Sequence, residues 1–510
     1  MTRLLFGQAY YLRFDPKLWA AMQPYPPLGA LYAASFMRQR GCHIALFDAM
    51  LAESETEWGA ALDREKPDYA VLYEDNFNYL SKMCLLRMRQ AAFTMIGMAR
   101  QRRIPIIVCG SDATDHAAAY WQQGADYVLI GEGELTLAEL LNALQTGDKP
   151  LAQIPGLAYG QDGVFQQNPR RPDIKVLDDL PFPAWDLVDV PRYRAIWRER
   201  HGYYAMNMVT TRGCPYHCNW CAKPIWGQRY HSRTPQNVVA ELKWLKETYQ
   251  PDYIWFADDI LGLKPGWLEQ FGALVAAAGV QTPFKCLSRA DLLLRGNTVN
   301  ALAQAGCDIV WIGAESGSQK ILNAMEKGTT VAQIYQASAR VQQAGFKIGF
   351  FLQFGYPGET RQDIELTLQM VRDCQPDDIG MSVSYPLPGT SFHERVKSEL
   401  GVKQNWVDSH DLEMLYKGPF ATEFYRQLHT VLHKEYRSRK AWHALKQLRQ
   451  QPTHLRPRHL RQIAAMLYHA ATLPLSRRRL EQLARLPHQG VKELPPGMTL
   501  DDAATPTPQA

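Results

Sequence analysis

Three cysteines, Cys214, Cys218 and Cys221, stand within eight residues of one another in the run Arg-Gly-Cys-Pro-Tyr-His-Cys-Asn-Trp-Cys. Thiolates spaced Cys-x3-Cys-x2-Cys on one loop can wrap one corner of a cubane [4Fe–4S] cluster, and the Gly and Pro let the backbone turn tightly. Three thiolates leave one iron without a protein ligand. That iron can chelate the amino and carboxylate groups of a methionine-like ligand, and the cluster then needs a supply of electrons.

Two other interpretations of the cysteines are a structural zinc site and a set of unligated core thiols. Zinc normally takes four closed ligands, and the nearby fourth candidates are His217, inside the loop itself, and His231. The ligand count therefore favours the cluster. The chain has nine cysteines, an odd number scattered over 510 residues, so a disulfide framework is not expected.

Two stretches alternate short apolar runs with amphipathic segments, which predicts parallel sheets flanked by helices. The first predicts a flavodoxin-like, doubly wound α/β domain. The second predicts a partial (β/α)6 barrel with its chemistry at the C-terminal strand ends, and Thr234-Pro235 marks one helix start. The predicted strands are 3–6, 43–47, 69–73, 104–109 and 127–130 in the first stretch, and 206–210, 253–257, 284–287, 309–314, 348–354 and 379–385 in the second.

The resulting plan has five parts. We expect a first domain over 1–148, a Pro-rich connector without regular helix over 149–198, a barrel over 199–400, a basic α-helical region over 401–494 and a disordered tail over 495–510. The formal charge of +5 is too small to argue for nucleic acid. No run approaches 18 apolar residues and the start does not read as a signal peptide, so we expect a cytoplasmic protein without a transmembrane segment.

The cysteine run, with Trp220 just before its last cysteine, resembles the signature of the radical S-adenosylmethionine (SAM) superfamily. The polar residues at the following strand ends agree with that family in order and position. The resemblance implies a [4Fe–4S] cluster on the three cysteines. It also implies a SAM site made of Trp220, Asp258, Asp259, Ser288, Arg289, Glu315 and Ser316.

Small and acidic residues follow the last two predicted strands of the first domain. They are Gly110, Ser111, Asp112, Gly131, Glu132 and Gly133. From the residues alone, tight βα turns with acidic first helical turns are as good an explanation as a ligand site. A flavodoxin-like domain ending in Gly-Glu-Gly-Glu, then Leu-Pro-Phe-Pro-Ala-Trp, then the cysteines, resembles the cobalamin-binding class of radical SAM enzymes. That class includes many C- and P-methyltransferases and the anaerobic Mg-protoporphyrin ester cyclase.

The resemblance implies that these six residues hold cobalamin. One departure is that the Asp-x-His-x-x-Gly pattern, by which a histidine ligates cobalt in other corrinoid enzymes, is absent. His116 lies in the right loop at the wrong spacing, which favours a surface residue at a helix start. Cobalamin without a protein histidine on cobalt is therefore expected.

The implied function is cobalamin-dependent radical chemistry, with a 5′-deoxyadenosyl radical made from SAM and, in the favoured case, methylation of an unactivated carbon of a small molecule. The implied partner is an external electron donor such as flavodoxin or ferredoxin. A cyclase or rearrangement enzyme without net methylation, a non-catalytic iron–sulfur protein, and a tRNA methylthiotransferase with a second cluster on Cys42, Cys84 and Cys109 are the alternatives.

Overall fold

The computed structural model describes residues 1–83, 85–221, 225–450 and 457–486. The tail expected over 495–510, the last part of the expected helical region and Cys84 lie outside these residues. Among the described helices, none is both long and apolar enough to cross a membrane.

The first sheet is built on five parallel strands in the spatial order β2-β1-β3-β4-β5, which is the flavodoxin-like order. The central residues of β1, β3, β4 and β5 are almost wholly buried because helices cover both faces of the sheet, whereas the edge strand β2 is partly exposed. The strands are β1 (Arg3–Gly7), β2 (His43–Leu46), β3 (Tyr69–Tyr73), β4 (Ile106–Cys109) and β5 (Tyr127–Leu129). The predicted α/β fold class of this domain is confirmed.

The helices of this domain alternate with the strands along the chain. They are α1 (Pro16–Ala21), α2 (Leu28–Arg38), α3 (Thr56–Glu65), α4 (Tyr79–Met83), α5 (Leu86–Gln101), α6 (Ser111–Asp115), α7 (Ala117–Gln122) and α8 (Glu134–Thr146).

The stretch expected to be an irregular connector contains more regular structure than predicted. An antiparallel hairpin of β6 (Leu157–Gln161) and β7 (Val164–Gln167) extends the first sheet next to β5, and α9 (Val190–His201) follows. Asp162 and Gly163 turn the hairpin with φ of 52° and 77°, as a two-residue turn of this kind requires. Asp189 caps α9. The proline of this helix, Pro191, lies in the first turn, where a backbone N–H would have no partner within the helix.

The second sheet is a six-stranded, all-parallel half-barrel in the order β15-β14-β13-β12-β11-β8. Its strands are β8 (Ala205–Met208), β11 (Tyr253–Phe256), β12 (Phe284–Ser288), β13 (Cys307–Glu315), β14 (Lys347–Phe354) and β15 (Asp378–Val383). The short strands β9 (Thr211–Arg212) and β10 (His231–Ser232) pair across the base of the cysteine loop. The predicted partial barrel is confirmed.

Eight helices, counted among the described residues, flank the barrel strands. They are α10 (Pro235–Tyr249), α11 (Trp267–Ala278), α12 (Ala290–Leu293), α13 (Thr298–Ala305), α14 (Gln319–Ala324), α15 (Val331–Gln343), α16 (Arg361–Cys374) and α17 (Ser391–Val396). As predicted, Thr234 caps α10 by accepting from the Asn237 N–H, with Pro235 as its first residue.

Residues 401–421 cross from the barrel to the first domain without regular helix. Trp406 is fully buried with its ring 3.8 Å from that of Tyr385, and its carbonyl accepts from the Leu86 N–H at 2.7 Å. Two long helices, α18 (Thr422–Gln450) and α19 (Pro457–Leu483), then form an antiparallel hairpin on the outside of the barrel. The predicted helical character of the C-terminal region holds for these described residues.

Candidate active site

The cysteine loop begins where β9 ends, at the C-terminal edge of the half-barrel. Gly213 turns the chain with φ of 79°, and a Cβ at this position would lie 2.3 Å from the Arg229 carbonyl oxygen. No other residue type fits here without moving the backbone. Cys214 is buried against Ile260 and Leu292, whereas Cys218 and Cys221 are partly exposed.

Positive charge surrounds Cys218. The Arg289 guanidinium stacks 3.6 Å over the Tyr216 ring and places Nη1 3.9 Å from the Cys218 Sγ. Burial alone would lower the pKa of Lys327, but attraction to Glu315 and to Cys218 outweighs it and raises that pKa. Cysteine binds iron as the thiolate, and Arg289 and Lys327 bring positive charge to the place where a cluster with thiolate ligands would lie. The residues of this loop therefore fit a cluster with thiolate ligands.

The zinc interpretation finds little support in the positions of its proposed fourth ligands. His217 is exposed on the loop, and His231 is held in β10, paired with Arg212 of β9. Among the described residues, no three His, Cys, Asp or Glu side chains lie close enough to share one metal ion. A cubane does not need such closeness because its thiolates bind different iron atoms.

The end of β13 is built around one buried ion pair. Glu315 adopts a left-handed backbone conformation with φ of 55° at an irregularity in the β13–β14 pairing, and its Oε1 accepts from the Lys327 Nζ at 2.7 Å. A Cβ at Gly313 would collide with both Glu315 and Lys327. Strain of this kind in a non-glycine residue is typical of functional sites, because surrounding contacts must hold it.

The other residues predicted to bind SAM differ in their surroundings. Asp258 is buried beneath the loop, where Oδ1 accepts from the Thr210 N–H and the Thr211 hydroxyl, and burial raises its pKa to about 6. Within the described ranges, its Oδ2 has no hydrogen-bond partner. Ser316 is fully buried, and its hydroxyl lies 3.2 Å from that of Thr367.

The remaining three line the same strand ends. Ser288 ends β12 and is buried, Asp259 is partly exposed, and the Trp220 indole Nε1 has no hydrogen-bond partner among the residues that the structure describes. Trp220 lies 5.9 Å from the Lys327 Nζ.

Tyr79, at the start of α4, reaches this site from the first domain. Protein surrounds its ring, and burial together with Tyr385, Cys221, Glu315 and Asp259 raises the pKa of its phenol well above the ordinary value. Half of its surface, 51%, is nevertheless uncovered. Both observations are met if the ring faces a cleft between the first domain and the barrel mouth. Sequence reasoning missed this residue because nothing local marks a tyrosine after β3 as a neighbour of the cysteine loop.

A buried charge cluster joins the cysteine loop to the first domain. Arg212 Nη1 lies 2.7 Å from Glu132 Oε1 and Nη2 lies 2.7 Å from Glu134 Oε1, and the Trp226 indole donates to Glu132 at 3.0 Å. Burial would lower the pKa of Arg212, but the two carboxylates raise it. We call Arg212, Glu132 and Glu134 the interdomain clamp. Its geometry shows that Glu132, expected at the cobalamin site, makes a contact with the barrel.

The small residues of the first domain's loops are also in use within the protein. A Cβ at Gly110 would lie 2.7 Å from the Glu74 Cβ, and one at Gly133 would lie 2.6 Å from the Cys109 Sγ. Gly131 has φ of 81°, and its N–H donates to the Thr114 hydroxyl at 3.1 Å.

Asp112 and Ser111 have partners as well. Asp112 forms a buried bidentate pair with Arg89 and accepts from the Tyr120 hydroxyl, while the Ser111 hydroxyl lies 3.4 Å from the Asn76 side-chain oxygen. These contacts hold the βα loops together.

Three side chains at the same sheet edge hold buried polar atoms that find no hydrogen-bond partner in the described part of the chain. These atoms are both amide atoms of the fully buried Gln8, the Glu74 Oε2 and the His116 Nδ1, and burial raises the pKa of Glu74 to about 8. The other carboxylate oxygen of Glu74 accepts from the Ala9 N–H at 2.8 Å. Buried polar groups normally find a partner. A corrin carries amide groups around its rim, so this edge fits it. The expectation that His116 is a surface residue is wrong, because its side chain is only 13% exposed between α6 and α7.

The cysteines considered for a second cluster do not come together. Cys42 precedes β2, at the N-terminal edge of the first sheet, whereas Cys109 ends β4 at the opposite edge and is buried. Cys84 lies outside the described residues. The two described thiols therefore cannot share one cluster.

Residues 208–371 match the family model of the radical SAM superfamily. An uncharacterized methyltransferase of Pyrococcus horikoshii is 30% identical over 61% of this chain and 66% of its own length. The anaerobic magnesium-protoporphyrin IX monomethyl ester cyclase of Synechocystis is 26% identical over 43% of each chain. The chain thus spans at most about two thirds of the length of these relatives.

Among solved structures, the radical S-adenosylmethionine methyltransferase TsrM from Kitasatospora setae, with cobalamin and a [4Fe–4S] cluster bound, superposes with a TM-score of 0.64. The match covers 79% of each chain at 18% identity, which shows a shared fold alone. Together these matches confirm the predicted resemblance and fold class, and they indicate that the chain is an enzyme.

Proposed function

Residues 208–371 are a radical SAM domain, and from that premise we propose that the chain is a cobalamin-dependent radical SAM enzyme that methylates an unactivated carbon of a small molecule. The observation that carries the proposal is the cysteine loop on an open half-barrel, with Arg289 and Lys327 beside Cys218 and with Tyr79 of the first domain near Cys221 and Glu315. The similarity to the methyltransferase of Pyrococcus horikoshii and to the methyltransferase TsrM supports methyl transfer.

In this proposal Cys214, Cys218 and Cys221 hold the [4Fe–4S] cluster. When bound, the cluster and SAM supply a 5′-deoxyadenosyl radical and cobalamin supplies a methyl group. The chain itself positions these groups and excludes water. Arg289 and Lys327 stabilise the negative charge of the thiolates, and the strained Glu315 is held in place by Lys327.

Around the open iron we propose SAM contacts from Trp220, Asp259, Ser288, Arg289 and Glu315, which line the strand ends. The placement of Asp258 and Ser316 favours an indirect role for both. Asp258 holds the start of the cysteine loop through Thr210 and Thr211, and Ser316 holds the turn after β13 against α16.

For cobalamin we propose the C-terminal edge of the first sheet, with Gln8, Glu74 and His116 as its polar contacts. Gly110, Ser111, Asp112, Gly131 and Gly133 shape the loops there. Glu132 links this edge to the cysteine loop through Arg212, so the interdomain clamp would keep the two cofactors at a fixed separation. We also propose a small-molecule substrate, a reductant of the flavodoxin or ferredoxin type and a cytoplasmic location.

A cyclase or rearrangement reaction is the second candidate, and the similarity to the ester cyclase of Synechocystis favours it. The protein contacts would be the same in both cases. The difference lies in whether a methyl group leaves SAM for cobalamin.

The test is anaerobic reconstitution of the full chain with iron, sulfide and cobalamin, followed by SAM and dithionite. We expect 5′-deoxyadenosine from radical formation, and S-adenosylhomocysteine together with the methylcobalamin absorption spectrum from methyl transfer. A cyclase would release 5′-deoxyadenosine without S-adenosylhomocysteine. An iron–sulfur protein without catalysis would release neither nucleoside, and that result would overturn the proposal.

A further inference from the structure

The C-terminal hairpin concentrates the positive charge of the molecule. Residues 422–486 contain 14 of the chain's 56 Lys and Arg residues but only 3 of its 51 Asp and Glu residues. The rest of the chain therefore carries 42 basic and 48 acidic residues, so the formal charge of +5 hides an acidic body with a strongly basic hairpin. Such segregation creates a local field that attracts an anionic surface.

The same hairpin exposes large apolar side chains. On α19, Leu467, Tyr468 and Leu475 are 60%, 61% and 68% exposed. With Ala471, these residues are spaced so that they share one face of the helix, and Leu486, in the turn that follows the helix, is 55% exposed. We call these five residues the outer face of α19. Leucines on a packed helix normally point inward, so this arrangement is unusual.

The opposite face of α19 accounts for its packing. Leu480 is completely buried, and Ser476 receives hydrogen bonds from Gln427 and Lys434 of α18 at 2.8 and 3.0 Å. The helix is therefore docked through its inner face. Of the outer face, the Tyr468 ring also approaches α18, with the Lys434 Nζ 5.7 Å from its centroid. Leu467 and Leu475 remain exposed beside this contact.

The arginines along α19 and just beyond its end differ in whether they form an ion pair inside the protein. Arg477 pairs with Glu435, and Glu481 pairs with Arg361 of α16. Arg478, Arg479 and Arg485 have no carboxylate partner among the described residues. Their charges remain available to a partner outside the chain.

We propose that the outer face of α19 docks onto a membrane surface that contains anionic lipids. A helix with leucine and tyrosine on one face and arginines at its border lies in the interface, where the apolar side chains enter the acyl boundary and the arginines reach the lipid phosphates. Nucleic acid would use the arginines but would gain little from exposed leucines. The chain docks without spanning, consistent with the absence of a spanning helix among the described residues.

The test is co-sedimentation of the reconstituted full chain with vesicles of phosphatidylcholine alone or with about 30% phosphatidylglycerol. We expect at least tenfold tighter binding to the anionic vesicles, and weaker binding at high salt, because exposed charges are screened. Leu475→Glu and the double variant Arg478→Glu/Arg479→Glu should each bind the anionic vesicles at least tenfold more weakly than wild type. The matched control is Val164→Glu, which adds the same charge at a residue 58% exposed on the first domain and should stay within about twofold of wild type.

Release of 5′-deoxyadenosine should remain unchanged in all three variants, because none lies at the barrel mouth. The thermal melting curve, followed by circular dichroism, should also match wild type in all three variants. This separates loss of docking from loss of fold without relying on the proposed reaction. Equal binding of wild type to both vesicle types, or equal binding of Leu475→Glu and wild type, would overturn the proposal.

Two other occupants of the outer face predict different results, and either would also overturn the proposal. If residues 487–510 cover this face, the full chain will not bind vesicles and a chain ending at residue 486 will. If a second copy covers it, light scattering will show a dimer that Leu475→Glu dissociates, and the vesicles will remain unbound.

Discussion

The mouth of the barrel and the edge of the first sheet face one another, yet they use their polar residues in opposite ways. At the barrel mouth, Arg289 and Lys327 gather around Cys218, a residue that the motif had named. At the sheet edge, Asp112 and Glu132, which the sequence predicted as cobalamin contacts, form buried ion pairs with Arg89 and Arg212. The spacing of the cysteines identifies the residues that would bind the metal. A pattern of small and acidic loop residues does not identify the groups that those residues contact.

Replacing a cluster thiol is the strongest test of the barrel side. Cys218→Ser should lose most of the bound iron and lower 5′-deoxyadenosine release by at least 100-fold, because two thiolates cannot hold the cubane. Iron content and the charge-transfer absorption of the cluster measure the loss. Cys42→Ser is the matched control, since Cys42 lies at the far edge of the first sheet, and it should retain the wild-type iron content.

The interdomain clamp tests whether the two regions depend on one another. Arg212→Ala leaves Glu132 and Glu134 buried without a counter-charge, which we expect to cost about 3–5 kcal/mol in the free energy of unfolding. Urea denaturation measures it. Combining Arg212→Met with Glu132→Gln and Glu134→Gln removes every charge and should recover most of that loss. Equal stability of Arg212→Ala and wild type would show that the clamp does not hold the domains.

Glu74 supplies a pH-dependent test of the sheet edge. Its pKa is about 8 in the folded protein against an ordinary 4.5, so the folded state keeps a proton that the unfolded chain releases. The contribution of Glu74 to the free energy of unfolding therefore falls as the pH rises from 4.5 to 8, and it does not change further above pH 8. Each pH unit between the pKa values of the folded and unfolded states changes the free energy of unfolding by about 1.4 kcal/mol.

Glu74→Gln cannot ionise at this position. Its free energy of unfolding, taken relative to that of wild type, should therefore increase by about 2–4 kcal/mol from pH 5 to pH 8.5. Melting curves at the two pH values, recorded before cobalamin is added, give the difference. A variant whose advantage does not grow with pH would show that Glu74 is ionised in the folded protein.

The smallest effect separates a supporting residue from a ligand. Ser316→Ala removes hydrogen bonds to Thr367 and to the Ser318 N–H, which we expect to cost about 1 kcal/mol of stability. Its affinity for SAM should stay within about twofold of wild type, because the hydroxyl faces α16. Arg289→Lys is the comparison, and a larger loss of SAM affinity in Ser316→Ala than in Arg289→Lys would contradict this placement.

The sequence predicted every buried parallel strand, because a run of β-branched and aromatic residues between helices has few other interpretations. It missed β6, of which only the first three residues are buried, and β7, which is mostly exposed. Their one local signal was the Asp162-Gly163 turn. The cysteines were predictable because their spacing is local. The partners of Arg212 were not, since 80 residues separate it from Glu132 and only the packing of two domains brings them together.

The central claim is that the polypeptide leaves one iron of the cubane open to SAM. Electron paramagnetic resonance of the reduced, reconstituted chain, recorded with and without SAM labelled with 17O in its carboxylate, tests this most directly. We predict that SAM changes the spectrum of the cluster and that the 17O nucleus couples to it. A spectrum that SAM leaves unaltered, or a fourth cysteine or histidine ligand on the cluster, would contradict the claim.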